Sequence, residues 1–356
     1  MRSLADTLPG GFVFTAPKNV SQRHVTDNTN QEDRALAHNL PQDLPMPAND
    51  TIGWRTLETR PGHYDFTPLA DLCEKSNAAQ DGVILDLLNF EWPHYLDITR
   101  REFVDAFADF AEATVQFLAD RAPLNITIIP VQQISLLAAA SGDFALLPPY
   151  LRSMGGLVQR QLVKAAIRAS KFVRAKLPGA NLLSIEPILD AFEEQPSASA
   201  AVARQQHVRT LEIFDMLTGR LCPELGGSPD YLNIICVRFL ECHPWLDRPR
   251  PRGHRAELFL SQQTLHHKSF HQALVEIHQR YGRPLLVARG PAEHGAGAAW
   301  TQFVDQEMAA ALNLKIPIVG VNFHPEDKSL QALAAVLDRQ QAFSKTVPIY
   351  FTQSDS

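Results

Sequence analysis

Two adjacent glutamines, Gln132 and Gln133, follow the apolar run Asn125–Val131, and reactive or aromatic residues gather at the ends of several similar runs. Asn89, Phe90, Glu91 and Trp92 close the run that begins at Gly82, and Glu186 sits near the end of Asn181–Pro187. Arg238, Glu241, Cys242, His243 and Trp245 end or follow Tyr231–Leu240. Arg289, Glu293 and His294 follow Pro284–Ala288, and His324, Glu326 and Asp327 follow Ile316–Phe323. Such a set is open to three kinds of chemistry. Two carboxyls among Glu91, Glu186 and Glu293 could divide acid and base roles in a hydrolysis. Arg238 and Arg289 could grip an anion through bidentate guanidinium contacts, or pair internally with Glu91, Glu186, Glu241 or Glu293. The His, Cys and Glu residues suit a transition metal by type, but no pair has a dedicated ligand spacing, so no metal is expected. His267, His271 and His278 share one helix face that suits solvent as well as ligand. Trp92 and Trp245 are candidates for stacking on a flat ligand, or for packing at the rim of the fold.

The elements that must position these residues are short strands alternating with helices. The runs Gly11–Phe14, Thr51–Leu57, Gly82–Phe90, Asn125–Val131, Asn181–Pro187, Tyr231–Leu240, Pro284–Ala288 and Ile316–Phe323 are rich in Val, Ile, Leu and Phe. They lack clean alternation, as expected of parallel strands buried on both faces. Between them, Phe103, Phe107, Phe110, Thr114, Phe117 and Leu118 form one apolar stripe at helical spacing over Arg101–Arg121. Arg152–Leu177, Ala201–Leu221, Ser261–Tyr281, Ala298–Leu312 and Lys328–Phe343 show the same spacing. Eight strands alternating with helices predict an α/β fold, a (β/α)8 TIM barrel, with a doubly wound sheet as the alternative. In either architecture the ligand site lies beyond the carboxyl ends of the strands.

The chain has 356 residues, which fits one barrel domain over 1–356, with an irregular stretch at 15–50 and a short tail at 353–356. Its net charge is -6, with both signs interspersed, which argues against nucleic acid or anionic lipid as a partner. No apolar run is long enough for a membrane span and no signal pattern opens the chain, so a cytoplasmic protein is expected. Four scattered cysteines, Cys73, Cys222, Cys236 and Cys242, suit buried thiols rather than a disulfide framework. No cofactor motif is present.

Several segments resemble one family. WRTLETRPGHYDFTPLADLCE (Trp54–Glu74), LDLLNFEWPHYLD (Leu85–Asp97), QRQLVKAAIRA (Gln159–Ala169), FDMLTGRLCPELGGSPDYLNIICV (Phe214–Val237) and RPLLVARGPAEHGAGAAW (Arg283–Trp300) resemble, in order, bacterial relatives of glycoside hydrolase family 1. The resemblance implies a clan A barrel. It also implies an acid/base glutamate at the position of Gln133, after the Asn that Gln132 replaces, and a nucleophilic glutamate at Arg289. A sugar-binding His is implied at Asn89 and an Asn at Arg238. An amide carries no titratable proton and a guanidinium cannot attack as a carboxylate does, so both catalytic positions of the family are chemically disabled. The expectation is a glycosidase-like barrel without glycosidase chemistry. It would bind a saccharide or glycan precursor, the basic replacements and the loop DRPRPRGHR (Asp247–Arg255) allowing an anionic one, or scaffold a polysaccharide or natural-product pathway through protein partners. The candidate ligand-binding residues are Asn89, Trp92, Gln132, Gln133, Arg238, Glu241, His243, Trp245, Arg289, His294 and His324. Two alternatives stand beside it: an active hydrolase or transglycosidase using Glu186, Glu91 or Glu293, and a structural interaction protein with a closed pocket.

Overall fold

The computed structural model describes residues 52–79, 83–121, 126–145, 147–190, 198–241 and 269–289, and further 306–307, 310–311, 313–314, 316, 318–323 and 349–351. A short antiparallel hairpin, β1 (Glu58–Arg60) and β2 (His63–Tyr64), precedes a sheet of seven parallel strands. These are β3 (Val83–Asp86), β4 (Ile126–Ile129), β5 (Asn181–Asp190), β6 (Ile234–Glu241), β7 (Leu285–Arg289), β8 (Ile318–Phe323) and β9 (Ile349–Phe351). Their order in the sheet is their order in the chain, and each pairs in parallel with the next. Sequential parallel neighbours require a crossover each time, and among the described residues helices join the strands from β3 to β7. Helix α2 (Thr67–Ala79) precedes β3 and α3 (Arg101–Arg121) joins β3 to β4. Between β4 and β5 come α4 (Ile134–Ala138), a π-helical turn at Ala139–Asp143, and α5 (Gly155–Lys176). Then α6 (Ala198–Leu217) leads to β6 and α7 (Phe270–Tyr281) to β7.

The strand expected at Thr51–Leu57 is instead a helical turn, α1 (Trp54–Leu57). Trp54 and Leu57, three residues apart, are fully buried while Arg55 and Thr56 are exposed, so the short run carries helical rather than alternating spacing. The turn is held at its start by Trp54 N–H donating to Leu87 O (2.9 Å) beyond β3. Strand β9 is an addition that the apolar runs did not suggest. The expected strand Gly11–Phe14 and helix Lys328–Phe343 lie outside the described residues; of Ala298–Leu312, the described positions 306–307 and 310–311 are helical.

Burial divides the sheet into two faces. Val83, Leu85, Ile126, Ile128 and Leu182 join one core cluster with α3 and α5, and Ile188, Ile235, Val237, Phe239, Leu285 and Val287 join another with α6 and α7. The alternate residues Ile84, Ile129, Leu183, Ile185, Ile234, Cys236 and Leu286 form a separate cluster on the opposite face. Both faces are apolar, which is why the strands read as continuous hydrophobic runs. On the helix side the Trp54 ring lies 5.7, 5.1 and 5.9 Å from those of Phe103, Phe107 and Phe110.

Candidate functional site

The carboxyl ends of β3 and β4 bring together Asp86, Asn89, Gln132 and Gln133. Asp86 ends β3 and pairs in register with Ile129, which places it on the second face of the sheet, beyond Ile84. Gln132 Nε2 donates to Asp86 Oδ2, and Asn89 N–H donates to Asp86 Oδ1 at 3.1 Å. The residue is partly exposed, yet its carboxyl is desolvated. Burial pushes its pKa up to about 7, against the opposing hydrogen bonds of Asn89, Gln132 and Leu88.

The backbone at these strand ends is unusual. Asn89 and Phe90 have φ of 48° and 59°, and Gln133 has φ 48° and ψ 46°, all in the left-handed region that non-glycine residues rarely occupy. A similar group, Ala145, Tyr150 and Ser153, lies in the loop after the π turn. Gln133 is clamped on both sides: its N–H donates to Ile185 O at 2.7 Å, and its carbonyl accepts from Leu137 N–H at 2.9 Å. Its side chain is completely buried, and neither Nε2 nor Oε1 has a hydrogen-bond partner among the described residues; the same holds for Gln132 Oε1. Arg238, on the second face two residues beyond Cys236, is also buried and has a partner within the protein.

Glu186 is placed differently from the mouth position that its strand-end location suggested. Leu183 and Ile185 face the second-face cluster, so Glu186 points to the helix side, in phase with Ile188. It is buried, and its carboxyl oxygens accept from Ile134 N–H (2.7 Å), Ser135 N–H (3.2 Å) and the Ser135 hydroxyl. Gln206 Nε2 of α6 in turn donates to Ser135 Oγ at 2.6 Å. The carboxyl group therefore satisfies the first backbone donors of α4, the groups that a helix start leaves unpaired. Burial raises its pKa to about 8, opposed by the Ser135 and Ile134 bonds. A second buried polar link lies nearby: Asp143 Oδ1 accepts from Gly155 N–H at 2.8 Å, and Arg209 Nη1 approaches Asp143 Oδ2 at 3.7 Å.

The other sequence candidates fall in three groups. Glu91 is ion-paired with Arg55, both more than one-third exposed, and so belongs to the outer surface around α1. Trp92 is nearly buried and packs edge-on against Phe103 at 5.5 Å, a packing role rather than an open stacking surface. His271 and His278 do not converge: His271 pairs with Glu307 (2.8 Å) and His278 Nδ1 lies 3.0 Å from Arg283 O. Among the described residues no group of three His, Cys, Asp or Glu side chains could hold a metal ion. Arg289 ends β7 opposite Phe239, and Glu241 ends β6 opposite Asp190; only their backbones are described. His243, Trp245, Glu293, His294 and His324 lie outside the described residues. Asp86 was missed from sequence. The available signal was a single ionisable residue within GVILDLLNF, a run whose other members are apolar until Asn89.

No protein-family model matches the chain and no curated protein matches it. Among solved structures it is similar to the AHE enzyme from Alicyclobacillus herbarius, at 15% identity and a TM-score of 0.55 over 82% of this chain and 75% of that one. It is also similar to the β-glucosidase from Thermotoga maritima in complex with deoxynojirimycin, at 10% identity and a TM-score of 0.53 over 76% and 71%. Against that enzyme with methoxycarbonyl-substituted glucoimidazole the chain spans 66% of the enzyme's length, at a TM-score of 0.48. The Thermotoga maritima enzyme is a family 1 β-glucosidase. At these identities the likeness is one of fold: a parallel-sheet α/β scaffold shared with glycosidases.

Proposed function

We propose that the chain is a glycosidase-like (β/α)8 barrel that binds a saccharide at the carboxyl ends of its strands without hydrolysing it. The observation that carries this reading is Gln132-Gln133 at the end of β4, hydrogen-bonded into the site through Asp86 and clamped to β5 through Ile185. An amide there can orient a ligand but cannot protonate a leaving group. Two of the carboxyls that could have replaced it are occupied elsewhere, Glu186 by the start of α4 and Glu91 by Arg55. Asn89 and Arg238 complete the described part of the pocket, with Arg289, Glu241, His243, Trp245, His294 and His324 assigned to its remaining wall.

The test pairs aryl-glycoside turnover across several sugars with saccharide binding by the same preparation. The expected outcome is no turnover above background together with saccharide binding that weakens in Gln132→Ala. Turnover that vanishes in Glu293→Gln or Asp86→Asn would replace this reading with an active hydrolase.

A further inference from the structure

We infer that Glu186, Ser135 and Gln206 form a buried hydrogen-bond relay across β5, α4 and α6 whose direction reverses when Glu186 gains or loses a proton. All three side chains are buried. Among the described residues the Glu186 carboxyl has three partners: Ile134 N–H, Ser135 N–H and the Ser135 hydroxyl. Ser135 Oγ meets the Gln206 amide at 2.6 Å, and the other end of that amide, Oε1, has no partner. Charged groups on the neighbouring elements are engaged elsewhere. Arg209 of α6 approaches Asp143 of the π turn, and His207 bonds Glu276 of α7 at 2.6 Å. Arg238 of β6 lies on the second face of the sheet.

The two protonation states need opposite hydrogen-bond directions. A carboxylate takes donors only, so Gln206 Nε2 donates to Ser135 Oγ and the Ser135 hydroxyl donates to Glu186 Oε2. A protonated carboxyl must donate, and the one acceptor among its partners is Ser135 Oγ, beside Oε2. The Ser135 hydroxyl then turns to Gln206, which has to offer Oε1 in place of Nε2. The two ends of a glutamine amide are nearly alike in shape, so a half-turn of the amide accomplishes this with the helices in place. When Glu186 ionises, its proton passes to water and both groups turn back.

The distances agree with the protonated direction. A separation of 2.6 Å is ordinary for O–H···O and short for N–H···O. Ser135 N–H lies 3.2 Å from Oε2 whereas Ile134 N–H lies 2.7 Å from Oε1, as fits a proton on Oε2, which makes that oxygen the poorer acceptor. Burial acts the same way, raising the Glu186 pKa to about 8. Two bonds without an ionisable group flank the relay. Gln133 N–H donates to Ile185 O at 2.7 Å, and Thr210 Oγ1 donates to Pro187 O at 2.7 Å. They tie β5 to the start of α4 and to α6 in either state, so titration reverses the link without breaking it.

The experiment follows the full chain by NMR, with carboxyl-labelled glutamate and side-chain-labelled glutamine, from about pH 5 to about pH 10, either side of the Glu186 value. The Gln206 signal is identified by its loss in Gln206→Met and the Glu186 signal by its loss in Glu186→Gln. The expected result is one midpoint shared by the Glu186 carboxyl and the Gln206 side-chain NH2, whose protons shift downfield as pH rises because they then enter a hydrogen bond. In Ser135→Ala, and in Ser135→Cys with its weak thiol donor, Glu186 still titrates and Gln206 no longer follows it. A Gln206 amide that stays fixed or moves upfield through the Glu186 midpoint overturns the relay, as does a Glu186 carboxyl that does not titrate in this range. A Gln206 shift that persists unchanged in Ser135→Ala reports charge acting through space and overturns it as well. Should neither Ser135 variant fold, the sign of the wild-type shift decides alone.

Discussion

Asp86 ends β3 and Glu186 lies within β5, both on buried strands, and one residue of phase gives the two carboxyls different work. Asp86 continues the second-face series after Ile84, whereas Glu186 follows Ile185 and so turns to the helix side, where it caps α4. Both are held by donors, yet desolvation dominates, and their pKa values rise to about 7 and about 8. The sign of the consequence follows from linkage. Between the ordinary Glu value of 4.5 and about 8, the folded protein keeps a proton on Glu186 that the unfolded chain has released. That contribution to stability is fully present below the ordinary value and is lost as pH rises through about 8; Asp86 adds a slope of the same sign that ends near 7. Urea midpoints measured from about pH 5 to about pH 8 should therefore fall for the wild type, and fall less for Glu186→Gln. Glu186→Ala should cost on the order of 2 kcal/mol near pH 5, since it leaves the Ile134 and Ser135 N–H groups buried without their acceptor, and less as pH rises toward 8. A midpoint that rises with pH in the wild type, or a slope unchanged in Glu186→Gln, would contradict the assignment.

At the scale of elements, α3 was legible in full, because its stripe from Phe103 to Leu118 is long enough for the helical period to be unambiguous. The turn at Trp54 was not. Four residues hold about one helical turn or two strand repeats, too few to tell the patterns apart, and the choice of helix depends on α3, whose Phe103, Phe107 and Phe110 surround the Trp54 ring. Trp54→Ala should cost roughly 3–5 kcal/mol in chemical denaturation, through lost burial and the cavity left against these rings. A loss below about 1 kcal/mol would mean that α1 is peripheral rather than keyed into α3. The candidate site divides in the same way. Gln132 and Gln133 could be placed at a strand end from the run before them. That Gln133 is buried with a left-handed backbone depends on its bonds to Ile185 and Leu137, which no local pattern encodes.

At the scale of the whole molecule, the net charge of -6 averages over surfaces that carry both signs: acidic Asp105 and Glu112 on α3 are ion-paired with basic Arg168 and Lys176 on α5. Of the two arginines expected as an anion clamp, Arg238 is buried with a partner within the protein, and Arg289 is described by its backbone alone. The sheet itself ends, among the described residues, on β3 and β9. Strand β9 covers the edge of β8 through the pairs Val321–Ile349, Asn322–Tyr350 and Phe323–Phe351. Removing residues 347–356 should expose that edge, lower the melting temperature by several degrees and promote association, read by light scattering on the eluted protein. A truncated chain that stays monomeric with an unchanged melt would show that β9 contributes nothing to the sheet.

The sequence by itself determined the alternation of apolar strands with amphipathic helices, hence a parallel α/β sheet, and the chemical character of the residues at its carboxyl ends. Those are properties of residue type and period. Only the tertiary structure decided which face each strand residue takes and which polar atoms find partners. A strand buried on both faces has no polar side to mark its phase, so the sequence did not show which way Asp86 and Glu186 point. Pairing, register and helix packing separated them, leaving one at the candidate site and the other beneath a helix.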